Sequence, residues 1–437
     1  MMIRLVGAVI ALWLSGPALA QIDIREVESP GGITAWLVEE HAIPFVALEL
    51  RFGGGANIDE EGQRGAVNLM TALLEEGAGD LDAAGFAVAA EELATNFRFS
   101  AGNDAVSVSA RFLSDNRDEA VALLRLALTQ PRFDAEAIER VRAQVLAGIR
   151  QDARSANAIA RDRFAALAYE DHPYGRPLEG TEASVAALDR DALLRAHERA
   201  ITRDRLHVAA VGDISAEELG HLLDALLADL PASAPPAPGP APQGLSGGVT
   251  TVPFNAPQSV IIFGQTGIPF DDPDYFAAFI MTEVLGGGRF STRLMRELRE
   301  RRGLTYGVGT SLVSRDHSDM LLGQLSVPNA RVAEALDIIR QEWARMAAEG
   351  ITPEELERAQ TFLTGSYPLR FDGNGTIAQI LVSMQAQGMP IDYPNTRNDR
   401  VLAVTSADIE RVAARLLDPE GLHFVVVGQP EGLETDG

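Results

Sequence analysis

The sequence predicts an α+β protein made of two similar domains, each with one sheet covered by helices, and three observations predict it. The stretch "PASAPPAPGPAPQGLSGG", Pro231 to Gly248, is almost pure Pro, Ala, Gly and Ser; it lacks periodic large apolar residues and so reads as a linker between halves of similar size. The halves echo each other. "FVALELRFGGGANIDEEG" opens the first and "SVIIFGQTGIPFDDPDY" the second, while "LHVAAVGDISAEEL" and "LHFVVVGQPEGL" close them. Within each half, strand-like runs such as "DAVSVSARFL" and "MLLGQLSV" alternate with long amphipathic helices such as "RDEAVALLRLAL" and "ARVAEALDIIRQEWARMAAEG". A repeated unit of about 200 residues is a duplicated domain rather than a solenoid repeat.

A chain of 437 residues with 46% hydrophobic content can bury large cores and suits two or three domains. Its start, "MMIRLVGAVIALWLSGPALA", combines Arg4, an apolar run from Leu5 to Leu14, a Ser-Gly-Pro breaker and Ala18-Leu19-Ala20. That is the pattern of a secretory signal peptide over residues 1–20, with a mature chain from Gln21 and a periplasmic location expected; a retained N-terminal anchor is the alternative. The run is shorter than the roughly 20 residues a membrane-spanning helix needs, and no later stretch is apolar for long enough. The expected domains are then residues 21–230 and 249–437, joined by the linker 231–248. There is no cysteine, so neither disulfides nor thiolate metal sites are available. The net charge of -25, with arginine as the only fixed side-chain cation and no lysine, speaks against a nucleic-acid partner.

In the first half, "RGAVNLMTALLEEGAGD", Arg64 to Asp80, reads as a helix: Val67, Met70, Leu73 and Leu74 recur at helical spacing. Asn68, Thr71 and Ala72 share one turn on another face, where i, i+3 and i+4 positions converge. The adjacent Glu75 and Glu76 point to different sides and read as solvated surface near a helix end. Further on, "FDAEAIERVRAQVLAGIRQDARS" opens with an acidic turn into a long helix and is matched in the second half by "ITPEELERAQTFLTGSYPLRF". No histidine occurs between His41 and His172, so the Arg64–Asp80 helix has only oxygen ligands nearby, whereas the common zinc sites use at least one nitrogen or sulfur ligand. His172 sits in the loop "DHPYGRP", and His207 and His423 open the closing strands as packing or surface residues. No "GxSxG" strand-turn-helix context for a serine nucleophile appears.

In the second half, "LGGGRFSTRL", Leu285 to Leu294, is a glycine turn leading into a helix with Ser291 or Thr292 as cap; without a Gly-Lys-Ser/Thr ending it is not a phosphate loop. The helix carries Arg299 among Glu297, Glu300, Arg301 and Arg302, with Tyr306 just beyond. The plain reading makes Arg299 part of a solvated charge run and Tyr306 a core residue.

Taken in order, "RFGGGANIDEEGQRGAVNLMTALLEEGAGD", "FDAEAIERVRAQVLAGIRQ", "HPYGRPLEGTEASV", "VGDISAEEL", "LGGGRFSTRLMRELRERRGLTYGV" and "VVVGQP" resemble the landmarks of the M16 (pitrilysin, insulinase, mitochondrial processing peptidase) family of inverted zinc peptidases. The resemblance covers nearly the whole mature chain, and its most specific block is "GGGRFSTRLMRELRERRGLTYGV". It implies two homologous α/β sandwich domains, each a mainly antiparallel sheet covered by helices. Active members carry H-x-x-E-H on the first domain's early helix, two histidines holding zinc and the glutamate acting as base on the metal-bound water. Aligned through Gly65 and Gly77, those positions fall on Asn68, Thr71 and Ala72, and the family's third ligand, a later glutamate, falls on Gly148. Arg299 and Tyr306 match the arginine and tyrosine that contact substrate near the zinc in active relatives, through guanidinium donors to substrate carbonyls and a phenol donor to the developing oxyanion.

The resemblance therefore implies no metal and no catalytic residue in this chain. It implies a heterodimer in which a partner of similar length keeps H-x-x-E-H and holds the zinc, peptides are the substrates, and this chain closes the clamshell chamber with Arg299 and Tyr306. Two other classes are a scaffold or binding protein using an inactive fold of this kind, with no role in proteolysis, and an independent enzyme with a site assembled only in three dimensions.

Overall fold

The computed structural model describes residues 22–433; the expected signal peptide and the start at Gln21 lie outside them. Six strands, β1 (Arg25–Glu28), β2 (Thr34–Glu39), β3 (Phe45–Gly53), β6 (Asn96–Ala101), β7 (Ala105–Leu113) and β8 (Leu206–Gly212), form one sheet in the order β1-β2-β8-β3-β7-β6. A two-stranded ribbon, β4 (Gly77–Ala78) with β5 (Leu81–Asp82), lies apart from it. Five later strands, β9 (Gly248–Pro253), β10 (Gln258–Thr266), β11 (Val308–Arg315), β12 (Ser318–Pro328) and β13 (His423–Gly428), form the second sheet in the order β11-β12-β10-β13-β9.

The duplication is exact in topology once β1 is set aside. β2-β8-β3-β7-β6 and β9-β13-β10-β12-β11 have the same order, and in each only the pair at the β2 or β9 edge is parallel. All other pairs are antiparallel, so the fold is two mainly antiparallel sheets with helices.

Alternation decides which face each strand buries. Val46, Leu48, Leu50 and Phe52 of β3 and Val106, Val108, Ala110 and Phe112 of β7 enter one core with residues from the helices Ala66–Ala72, Arg117–Thr129, Arg190–Ala200 and Ala216–Leu227. In the second half, Ile261 and Phe263 of β10 face Trp343 and Ile339 of the helix Val332–Glu349. Phe263 meets Trp343 edge-on at 5.7 Å, and the Trp343 indole donates to Gln265 Oε1 at 2.9 Å, which keeps a buried N–H satisfied.

The other face of each sheet is covered by a helix from the opposite half. The helix Ala156–Tyr169 packs Ala160, Phe164 and Ala168 against Val260, Ile262, Val425 and Val427 of β10 and β13. Reciprocally, Asn374–Ala386 lays Ala378, Leu381 and Val382 over Ala47, Ala209 and Val211 of β3 and β8, where alanines admit a close approach. Gln385 Nε2 then donates to the Val208 carbonyl at 2.7 Å.

The Pro/Ala/Gly-rich stretch has no helix or strand before Gly248, yet it is strapped down along its length. Arg205 donates to the Pro235 carbonyl, Ala234 N to Asp204, Ala241 N to the His317 carbonyl and Gly244 N to the Ala168 carbonyl, at 2.9–3.0 Å. Ala241 is buried. Composition predicts a loose connector; backbone hydrogen bonds, which composition does not reveal, give a docked one.

Candidate functional site

The helix Ala66–Ala72 is held at its start by Asp59, whose carboxylate accepts from Gly65 N at 2.8 Å and Val67 N at 2.9 Å. Burial raises the Asp59 carboxyl to about 6, against the pull of those two amides and of Arg64. Arg64 fans out to the carbonyls of Pro177 (2.9 Å), Pro173 (3.0 Å), Arg176 (3.0 Å) and Ala56, tying the helix start to the loop that begins at His172. The approach is close enough that a Cβ on Gly65 would meet the Glu179 carbonyl oxygen at 2.4 Å, and Gly65 has φ +93°. Both demands select glycine there.

On this well-anchored helix, the residues at the expected metal positions do not suit zinc. Thr71 is buried and its hydroxyl donates back to the Val67 carbonyl at 2.7 Å, so it faces its own helix. Ala72 is exposed and has no polar side-chain atom, and Asn68 is half-buried. Gly148 sits exposed on the helix Ala135–Asp152, where an added Cβ would meet nothing within 4 Å. Among the described residues no group of three or more His, Asp or Glu side chains could hold a metal ion.

A matching pattern occurs in the second half. The helix Tyr275–Gly286 occupies the same place after β10 that Ala66–Ala72 occupies after β3, and it carries Met281-Thr282 where the first has Met70-Thr71. Thr282 also donates back, to the Ala278 carbonyl at 2.8 Å. Thr71 and Thr282 thus make the same bond, each to the carbonyl four residues back in its own helix.

Glu75 and Glu76 part company. Glu75 is exposed, but Glu76 forms a two-point pair with Arg140 at 2.8 and 2.9 Å, clamping the end of the first helix to Ala135–Asp152. A solvated reading therefore holds for Glu75 only, because Arg140 is distant in sequence and its approach is tertiary.

In the second half the glycine turn runs into a wide helical turn, Met295–Glu300, in which Arg301 N bonds the Arg296 carbonyl five residues back at 3.0 Å. Neither Ser291 nor Thr292 caps it through its side chain; Thr292 Oγ1 donates to the Arg289 carbonyl instead. The charges of the run have separate partners. Arg293 is buried in a two-point pair with Glu355 at 2.6 and 2.9 Å, and Glu297 takes Arg301 and Arg302 at 2.7 Å each. Arg299 has no carboxylate partner among the described residues and lies over the Phe290 ring, 4.3 Å from its centre. Tyr306 is 86% exposed and Phe290 62%, so the reading of Tyr306 as core fails. Gly303, at φ +61°, turns the chain so that Leu304 is buried and Tyr306 is not.

Arg299 and Tyr306 stand before β11, the edge strand of the second sheet, whereas Asn68, Thr71 and Ala72 stand on the first sheet's helical layer. No hydrogen bond or ion pair joins the two groups among the described residues.

The sequence reading did not foresee two cavities beside the exchanged helices. One, about 850 Å³, is lined by Glu49, Arg51 and Ser109 on the first sheet and by Asp316 and Asp319 on the second half. The other, about 600 Å³, runs along Ala156–Tyr169 and the edge strand β11, and Arg315 borders both. Burial raises the Glu49 carboxyl, opposed by the Ser109 hydroxyl donating at 2.7 Å. The alternation of Glu49 and Arg51 inside a central strand was the available signal; on an antiparallel sheet it reads as an ordinary solvent face.

Comparison with known proteins accords with this geometry. The family description "Insulinase (Peptidase family M16)" matches residues 35–182 and "Peptidase M16 inactive domain" matches residues 187–363. The chain is 25% identical over 433 residues to the "Non-peptidase homolog YmxG" of Helicobacter pylori, covering 95% of each chain. It is 27% identical over 327 residues to a probable mitochondrial-processing peptidase subunit beta of Schizosaccharomyces pombe, covering 72% of this chain and 71% of that one. The crystal structure of a peptidase M16 inactive domain from Pseudomonas fluorescens superposes with a TM-score of 0.88 at 26% identity, over 94% of this chain and 99% of the other.

Proposed function

The chain belongs to peptidase family M16, and from that premise we propose that it is the non-catalytic subunit of a periplasmic heterodimeric zinc peptidase. The observation that carries the reading is an asymmetry of loss. The helix that would carry the metal is kept in place by Asp59, Arg64 and the Glu76–Arg140 pair, yet Asn68, Thr71, Ala72 and Gly148 offer zinc no set of donors. In contrast Tyr306 is exposed and Arg299 has no ion-pair partner among the described residues, so both have unused hydrogen-bond donors. The name of the Helicobacter relative, a non-peptidase homolog, supports the same reading.

In the assembled enzyme the zinc and its H-x-x-E-H helix belong to a partner chain, which hydrolyses the peptide. This chain closes the chamber. The Arg299 guanidinium donates to peptide carbonyls and the Tyr306 phenol donates to oxygen that gains negative charge, both acting in trans.

The test is reconstitution with a partner that keeps H-x-x-E-H. Alone, the mature chain binds no stoichiometric zinc and cleaves no peptide. In a dimer verified by sizing, Arg299→Ala or Tyr306→Phe lowers turnover on the order of 100-fold, the usual cost of one oxyanion donor. Wild-type rates from both variants would sink the role in trans. Failure of any M16 partner to gain activity would favour a scaffold with no part in proteolysis.

A further inference from the structure

A third cavity, about 340 Å³, lies wholly within the second half, between the helices Tyr275–Gly286, Asn374–Ala386 and Tyr393–Ala403. Its walls are aromatic: Tyr275, Phe276, Phe279, Tyr367 and Tyr393. Its charge is one-sided. Arg370 and Arg397 line it and no Asp or Glu does, in a chain with 62 acidic residues and a net charge of -25.

Arg397 is 4% exposed and forms no ion pair among the described residues. Its Nη1 donates to the Leu363 carbonyl at 2.8 Å and to Asn398 Oδ1 at 3.0 Å. The guanidinium lies 4.4 Å from the centre of the Tyr367 ring and 5.5 Å from that of Phe279. Ring faces and neutral oxygens offset part of the cost of burying a cation, but they supply no counter-charge. Other deeply buried arginines here are treated differently: Arg293 has Glu355 in a two-point pair. Arg370, exposed at the pocket, adds a second positive charge to the same space, again without an ion pair among the described residues.

We propose that this pocket binds a carboxylate carried on an aromatic group, the carboxylate bridging Arg397 and Arg370 and the ring stacking among the tyrosines and phenylalanines. A cavity of this volume accommodates one ring and its acid, either as a free small aromatic acid or as the C-terminal residue of a peptide. Gln379, Ser383 and Gln387 line both this pocket and the 850 Å³ cavity, so a peptide tail can reach it from the space between the halves. The proposal stands apart from the heterodimer reading, since every residue it uses is in this chain.

Isothermal titration of the mature chain tests it, with phenylacetate and N-acetyl-Ala-Ala-Phe as probes and the C-terminal amide of the same peptide as control. The expected result is saturable binding of at least one acid with a dissociation constant below about 1 mM, weakened at least tenfold in the amide. Binding of phenylacetate alone assigns the free acid, and binding of the peptide acid alone assigns the peptide terminus. Arg397→Met should abolish binding. Should that variant fail to fold, Arg370→Glu, at an exposed position, decides: at least a tenfold loss is expected. No saturable binding of either acid, equal affinity for the amide, or an unchanged affinity in folded Arg370→Glu overturns the proposal.

Discussion

Asp59 shows how much a single side chain can be asked to do when it is buried under a helix start. Its carboxyl is raised to about 6 in the folded chain, above its ordinary value of 3.8, because burial outweighs the two amides it accepts from. A raised folded value means the folded state binds the proton more tightly than the unfolded chain does. The contribution is therefore fully present below about pH 4 and is lost as pH rises through 6, an amount on the order of 3 kcal/mol. Denaturant unfolding of wild type and Asp59→Asn at intervals between pH 3 and 8 should show their stability difference changing across that window and flat above it. Arg293 gives a second prediction at this scale. Arg293→Met strands Glu355 in a buried site and should cost about 3–5 kcal/mol, whereas Arg301→Met, with an exposed guanidinium, should cost under about 1 kcal/mol.

At the scale of one helix, Ala66–Ala72 invites repair. Asn68→His, Thr71→Glu and Ala72→His together return the nitrogen ligands but leave Gly148 without a carboxylate, so metal analysis should find weak, substoichiometric zinc. Adding Gly148→Glu meets open space and also replaces a helical glycine, which favours that helix by roughly 1 kcal/mol; tight zinc binding is expected only in the fourfold variant. Thr71→Glu alone should destabilise the chain, because the position is 2% exposed and a longer, charged side chain would have to be buried there. The expected helix runs from Arg64 to Asp80, whereas the chain leaves it at Ala72 and Gly77–Ala78 already pairs as a strand; its apolar side was nonetheless legible in the sequence from spacing. The helices Ala156–Tyr169 and Asn374–Ala386 were not. Their apolar residues announce that they pack, yet nothing in a periodicity says which sheet they pack on, and each crosses to the other half. The Arg397 pocket was hidden for the same reason, since its aromatic and cationic residues come from separate helices.

For the whole molecule, the crossing helices and the strapped Pro231–Gly248 stretch bear on whether the halves are separable. Composition alone suggests that a protease cutting within 231–248 would release two fragments. With Ala156–Tyr169 on the second sheet and Asn374–Ala386 on the first, a nicked chain should instead elute from a sizing column as one species and separate only in denaturant. Leu381→Ala, which opens a cavity under the second of these helices, should cost about 2–5 kcal/mol and let nicked fragments part at lower denaturant. The duplicated strand order could be anticipated from echoing segments, but this mutual covering could not. It also sets a timetable. The first sheet has its last strand at Gly212, while the helix that shields its other face ends at Ala386, about 170 residues later. In a chain that emerges with its N-terminus first, the sheet is complete over all of that length before its cover arrives. Throughout it Ala47, Ala209 and Val211 await their cover, and a nascent chain of this design needs a companion to keep that face from finding another.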